Sequence, residues 1–135
     1  MAYKLSNRSL SRMEGIDERI IEVVKVAIEH TKIDFGVTQG LRTIEEQEKL
    51  VAAGASKTMK SKHIDGLAVD LMAYVDGRGC WELNVYDEIA DAMKIGAEQC
   101  DVPIRWGAAW HIADIRNWDG TMEDAMNDYV DTRRS

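Results

Sequence analysis

Apolar and polar residues follow one another along this chain in two rhythms, one helical and one of period two, and the changes between them mark out the elements. From Asp17 to about His30, Ile20, Ile21, Val24 and Ile28 recur at helical spacing and predict an amphipathic helix. His30 closes it, where an imidazolium suits the negative end of the helix dipole. A second helix is predicted from Asn84, as cap, to about Gln99, with Val85, Ile89, Met93 and Ile95 as apolar positions and the methionines as core filling. A third follows the turn Asn117-Trp118-Asp119-Gly120. Thr121 and Asp124 cap it, and Met122, Ala125, Met126, Tyr129 and Val130 form its apolar stripe. Two shorter helices are signalled by their ends. Ser6 to Met13 has Ser6 or Ser9 as cap and Gly15 as breaker, and Thr43 with Glu46 makes a capping box for a helix to about Ala53 that Gly54 stops.

Strand signals lie between these helices. Asp34 to Gln39 and Leu67 to Tyr74 are β-prone, Asp76-Gly77 is a turn that returns Arg78 to Trp81 as a further strand, and Val102 to Trp106 is a short strand ended by Gly107. Alternation along Leu67 to Tyr74 puts Ala68, Asp70 and Met72 on one face and Val69, Leu71 and Ala73 on the other. The expected class is α+β, a small antiparallel sheet with helices packed on it.

The 135 residues suffice for one core and one domain. A formal charge of −7, with no long Lys/Arg cluster, argues against nucleic acid as a partner. No apolar run approaches the ~20 residues that span a bilayer, and the N-terminus lacks a secretory apolar core, so synthesis in the cytoplasm without a signal peptide is expected. Cys80 and Cys100 are too few and too far apart for a disulfide framework or a thiolate zinc site and read as reduced thiols. A monomer is expected.

The candidate chemistry lies in Ser61-Lys62-His63-Ile64-Asp65-Gly66-Leu67-Ala68-Val69-Asp70. His63 falls on the loop into the second strand and Asp70 inside that strand. A carboxylate buried there needs a compensating cation or donor. A divalent ion shared with His63 would serve, with Gly66 allowing a tight backbone fold and Ala68 leaving space. The other reading is also open: His63 as an ordinary loop histidine, and Asp70 as a buried acid bonded to a turn. Arg42, just ahead of a helix, is open in the same way, since a surface pairing with Glu45 or Glu46 accounts for it.

The pattern Ser-x-His-x-x-Gly-x-Ala-x-Asp resembles the signature of the zinc peptidases that cleave bacterial cell-wall peptides. That family includes D-alanyl-D-alanine carboxypeptidases and the L-alanyl-D-glutamate endopeptidases of phage endolysins. Gln39-Gly40-Leu41-Arg42-Thr43 is similar to its other recurrent segment, and the likeness runs from about Asp34 to Trp110. The resemblance implies zinc bound by His63 and Asp70 at the open face of the sheet. It implies Arg42 at the substrate carbonyl or carboxylate, Gln39 at the substrate backbone and Ser61 supporting the ligand loop. Trp106 and Trp110 flank Gly107-Ala108-Ala109, and Trp110 would wall the substrate groove; for Trp106 core packing is the other reading. The implied substrate is the peptidoglycan stem peptide, and the implied setting is phage lysis, with the protein acting on the wall after release.

One departure matters. In the family a histidine near the C-terminal end is the third zinc ligand, and an acid shortly before it is the general base. No histidine follows His111. Either the domain, residues 1–135, lacks its C-terminal strand, with Asp114 to Ser135 an insertion ahead of it, or His111 has taken the ligand role. Truncation is favoured because no acid lies a few residues before His111. Weak zinc binding and little hydrolysis are then expected, and a catalytically inactive module that binds peptidoglycan or protein is the alternative.

Overall fold

A computed structural model describes residues 3–55 and 62–134. The elements run α1 (Asn7–Arg12), α2 (Glu18–His30), β1 (Asp34–Gln39), α3 (Ile44–Ala52), β2 (Asp70–Val75), β3 (Arg78–Cys80), α4 (Leu83–Cys100) and α5 (Met122–Arg134), with 3-10 turns at Gly107–Ala109 and Ile115–Asn117. The α+β expectation holds: one sheet, ordered β1-β2-β3 and antiparallel throughout, carries helices on its apolar side.

The core forms where α2 and α4 meet that sheet. Val23, Val24, Ala27 and Ile28 of α2 close on Phe35, Val37 and Ala73 of the strands and on Val85, Ile89, Ala92 and Met93 of α4. Each large aliphatic buried there contributes on the order of 1.5–3 kcal/mol. The buried stripe of α2 is rotated from the predicted one, since Ile20 and Ile21 are only half-buried while Val23 and Ala27 are fully inside. The helices approach closely at Gly96, where a Cβ would sit 2.6 Å from the Val23 carbonyl oxygen. Ile95, expected inward, points outward. Helix α1 covers the free edge of β1: Val37 N–H donates to Ser9 Oγ at 3.0 Å, and Arg12 Nη1 donates to the Val37 carbonyl at 3.0 Å.

Several predicted boundaries shift, each for a physical reason. The strand expected from Leu67 begins at Asp70, because β1 ends at Gln39 opposite it and leaves residues 67–69 no ladder partner. A bulge between Val37 and Gln39 sets that last pairing. The Asp76-Gly77 turn has φ of 53° and 78°, the left-handed pair of a tight hairpin, and β3 stops at Cys80 with Trp81 largely exposed. Asn84 lies inside α4; Glu82 is the N-cap residue and makes no side-chain cap bond. Val102 to Trp106 is not a strand. Pro103 has no N–H to offer a ladder, and the Ile104 carbonyl bonds Ile115 N–H of the following turn at 2.8 Å.

That last segment belongs to a second, smaller core of Ala90, Ala109, Ile115, Met122 and Ala125 that ties α5 to α4. Lys94 pins the turn ahead of α5 by donating to the carbonyls of Trp118 and Gly120. Cys80 and Cys100 are free and half-buried, as expected. Among the described residues, no helix is long and apolar enough to cross a membrane.

Candidate functional site

Two loops meet at the end of the sheet where β1 leaves and β2 begins, and they are laced together through His63. Its Nδ1 stands 2.9 Å from the Gly40 carbonyl oxygen, while its own carbonyl accepts from Arg42 N–H at 3.0 Å. A carbonyl can only accept, so Nδ1 carries the proton, and in the neutral ring Nε2 presents a lone pair. Gly40 is itself packed against the end of α1, where a Cβ would lie 2.1 Å from the Arg12 carbonyl oxygen. Gly66 has φ of +72°, and its carbonyl accepts from Asp17 N–H at 2.9 Å, so the His63 loop turns tightly and is anchored to the start of α2.

His63 Nε2 lies 3.4 Å from Asp70 Oδ1, longer than the ~2.7–2.9 Å of a charge-assisted hydrogen bond. The histidine side chain is 13% exposed and the aspartate 54%. Burial of Asp70, expected from its apolar neighbours, is therefore not found. As first residue of β2 it stands at the sheet's end, where the missing neighbour strand leaves it open to solvent. The reason for pairing it with His63 is thus convergence of two donors on one space, not a forced desolvation. Nε2 and Oδ1 can both reach one cation there.

Arg42 is not a surface arginine paired with Glu45 or Glu46. It is 9% exposed, and its Nη1 and Nη2 donate to Gln47 Oε1 at 2.6 Å and Gln39 Oε1 at 2.7 Å. Gln39 is the ladder partner of Asp70, so the guanidinium, Gln39 and the candidate donors form one connected group. The capping box of α3 is present, with Thr43 Oγ1 accepting from Glu46 N–H at 3.1 Å and Glu46 Oε1 accepting from Thr43 N–H at 3.3 Å. It fixes the turn on which Gln47 faces inward. Sequence reasoning misses Gln47, although its place one helical turn before the half-buried Leu50 and Val51 marks the inner face. Ser61 lies outside the described residues.

Asp70 opens onto a cleft of about 890 Å³. Leu71 and Met72 of β2, Ile89 and Met93 of α4, and Trp106 and Trp110 line it, so the cleft is mainly apolar. Trp110 lines it and is exposed, and Trp106 both lines it and packs on the smaller core. Arg105 stands over the Trp110 ring with its guanidinium carbon 3.8 Å from the centroid.

His111 lies elsewhere. Its Nε2 is 2.9 Å from Asp128 Oδ2, and its ring stacks on Tyr129 with centroids 5.1 Å apart. Among the described residues no His, Cys, Asp or Glu joins His63 and Asp70 to make a group of three, so His111 does not supply a third donor. His30, at the end of α2, meets Gln99 Nε2 at 3.3 Å, in keeping with a helix-end role.

The fold, a small antiparallel sheet with helices packed on it, is one that known proteins share. The fold matches the crystal structure of Serratia marcescens L-Ala D-Glu endopeptidase ChiX with a TM-score of 0.75 and 32% identity, over 82% of this chain and 85% of that one. The L-alanyl-D-glutamate peptidase of Escherichia phage T5 is 28% identical over 115 residues, 82% of this chain and 84% of its own. The profile of the phage L-alanyl-D-glutamate peptidases matches residues 1–131. The chain belongs to the phage L-alanyl-D-glutamate peptidase family.

Proposed function

We propose that this protein hydrolyses the amide bond between L-alanine and D-glutamate in the peptidoglycan stem peptide, using zinc held by His63 and Asp70, as a phage-type lysis enzyme that acts on the wall after release. The observation that carries the reading is the disposition of those two side chains in a chain of this family. Their 3.4 Å separation is close to the ~3.3 Å between two ligands of a tetrahedral ion at ~2.0–2.1 Å, and is poor for a direct bond. The Nδ1 contact to the Gly40 carbonyl also orients the ring with Nε2 as the donor, as the outer bond of a metal-ligating histidine does. The donor set therefore fits zinc. When bound, zinc supplies a Lewis acid that polarises an amide carbonyl and lowers the pKa of water.

The chain's own residues do the rest. Gln39 and Gln47 hold the Arg42 guanidinium beside the donors, where its positive charge stabilises negative charge developing on the substrate carbonyl oxygen. Trp110 offers the cleft an aromatic wall against which a stem peptide packs, and the apolar lining excludes water around it.

Two described donors hold an ion less tightly than three, so added zinc is expected to be required. The same feature favours a second reading, a module that grips wall peptides without cutting them. Incubation with purified cell walls at saturating zinc separates the two. New D-glutamyl amino termini, absent with a chelator and absent in His63→Ala, support the peptidase. Co-sedimentation with the wall and no new termini supports the module.

A further inference from the structure

Among the described residues three cationic side chains rim the cleft, and they stand in different states: Arg19, Lys62 and Arg105. Arg19 is chelated by its neighbour Asp17, Nε and Nη2 reaching the two carboxylate oxygens at 3.1 Å. Lys62 is an exposed, flexible point charge. Arg105 is different from both. Its Nε donates to the Trp110 carbonyl at 2.7 Å, Nη2 donates to the same oxygen, and the guanidinium plane rests on the Trp110 ring. The ion pairs of described arginines are those of Arg19 and Arg116, so Arg105 faces no carboxylate among the described residues.

Five guanidinium hydrogens minus the two used on the Trp110 carbonyl leave three, both on Nη1 and one on Nη2, without a protein acceptor among the described residues. Acids outnumber bases in this chain, 24 to 17, so the missing partner does not reflect a shortage of carboxylates. An arginine clamped on one edge and one face is pre-organised to take an oxyanion on its free edge, with little entropy left to lose.

The expected substrate supplies such a group. In an L-alanyl-D-glutamate link the glutamyl amine belongs to the scissile amide, and continuation of the peptide uses one of two carboxyl groups. The other remains as a carboxylate a few bonds from the reacting atoms. Resting on the function proposed above, we propose that Arg105, clamped on Trp110, is the subsite for that free glutamyl carboxylate and makes the protein discriminate against its amidated form. Arg42 is less suited to this task, being buried and tied to two glutamine oxygens. A fork built for a carboxylate leaves one bond unmade against a carboxamide and loses the charge attraction.

The test uses L-alanyl-γ-D-glutamyl-L-lysine and the same peptide with the glutamyl α-carboxyl amidated. Binding of each to the metal-free full chain is measured by calorimetry for wild type, Arg105→Gln and Arg105→Lys, with cleavage at saturating zinc followed separately. Wild type is expected to bind the carboxylate peptide at least about tenfold more tightly than the amide. Arg105→Gln should bring the two to equality by weakening the carboxylate peptide alone, and Arg105→Lys should keep part of the preference. Equal binding by wild type, no measurable binding of either peptide, or equal weakening of both in Arg105→Gln, as a mere prop of the 105–110 turn would give, overturns the subsite. An Arg105-dependent preference with no cleavage leaves the subsite standing and sinks the peptidase reading instead.

Discussion

The described residues hold two histidine–aspartate pairs, and they are built for different ends. At His63 the ring is fixed from behind, by its Nδ1 bond to the Gly40 carbonyl, and Nε2 meets Asp70 at 3.4 Å without closing a good bond. At His111 the pairing nitrogen comes within 2.9 Å of Asp128, and the ring is fixed by stacking on Tyr129. The first pair is held by backbone, His63 on its loop and Asp70 at the head of β2, and Asp70 opens on the cleft. The second closes on itself and latches α5 to the segment ahead of it. The same two residue types thus make a donor pair or a fastening, depending on whether the surrounding backbone leaves room for a third party.

The sharpest way to break this contrast is to remove one member of each pair. If the proposed function holds, His63→Ala or Asp70→Ala lowers cleavage of wall peptide at saturating zinc by about a thousandfold, the loss of several kcal/mol of transition-state stabilisation. His111→Ala should stay within about threefold of wild type, and equal losses at both sites would erase the distinction. Gly40→Ala tests the backing of His63 directly. Its Cβ would collide with the Arg12 carbonyl, and a destabilisation of about 3 kcal/mol is expected in urea unfolding. Gln47→Ala removes one holder of a buried guanidinium and should cost about 2 kcal/mol, with cleavage falling as well; stability lost without activity would detach Arg42 from the chemistry.

The His111 latch is expected to be worth less. Both partners are partly solvated, so a double-mutant cycle with Asp128→Ala should return a coupling of about 0.5–1 kcal/mol. An aspartate with no histidine completes the series. Asp87 is buried on α4, and burial first, then Glu123, Asp91 and Glu88, holds its carboxyl above the usual range. A raised folded-state value means the folded chain binds the extra proton, so the penalty is absent below the ordinary carboxylate range, grows as pH rises, and is complete above the folded value. Asp87→Asn should therefore stabilise by about 1 kcal/mol at pH 7 and by nothing near pH 3, read from melting temperatures at the two pH values.

How far the site was readable in the sequence differs from residue to residue. The Thr43 and Glu46 capping box, the Asp76-Gly77 hairpin and the turn at Gly66 were legible because each is decided by dihedral angles and bonds within a few residues. His63 and Asp70 were legible as a pair through their spacing and the family resemblance. The environment of Asp70 was not, because solvent exposure depends on which strand lies beside it. Arg42 had a residue type and a position in a loop, and only the inward face of α3 and the end of β1 show that two glutamines hold it. Arg105 carried no signal at all, since its meaning comes from a carbonyl and a ring five residues on and from having no ion-pair partner among the described residues.

The sequence by itself determined the α+β class, most helix ends and the loop bearing the candidate donors, since periodicity, capping and glycine conformations are short-range properties of the chain. Folding decided the register that sets Gln39 against Asp70, the mesh of Gly40, Arg42 and His63, and the cleft with Arg105 clamped on Trp110. Those features join residues distant along the polypeptide, and their energies come from packing and hydrogen bonds that exist only once the sheet, α4 and the last segment have come together.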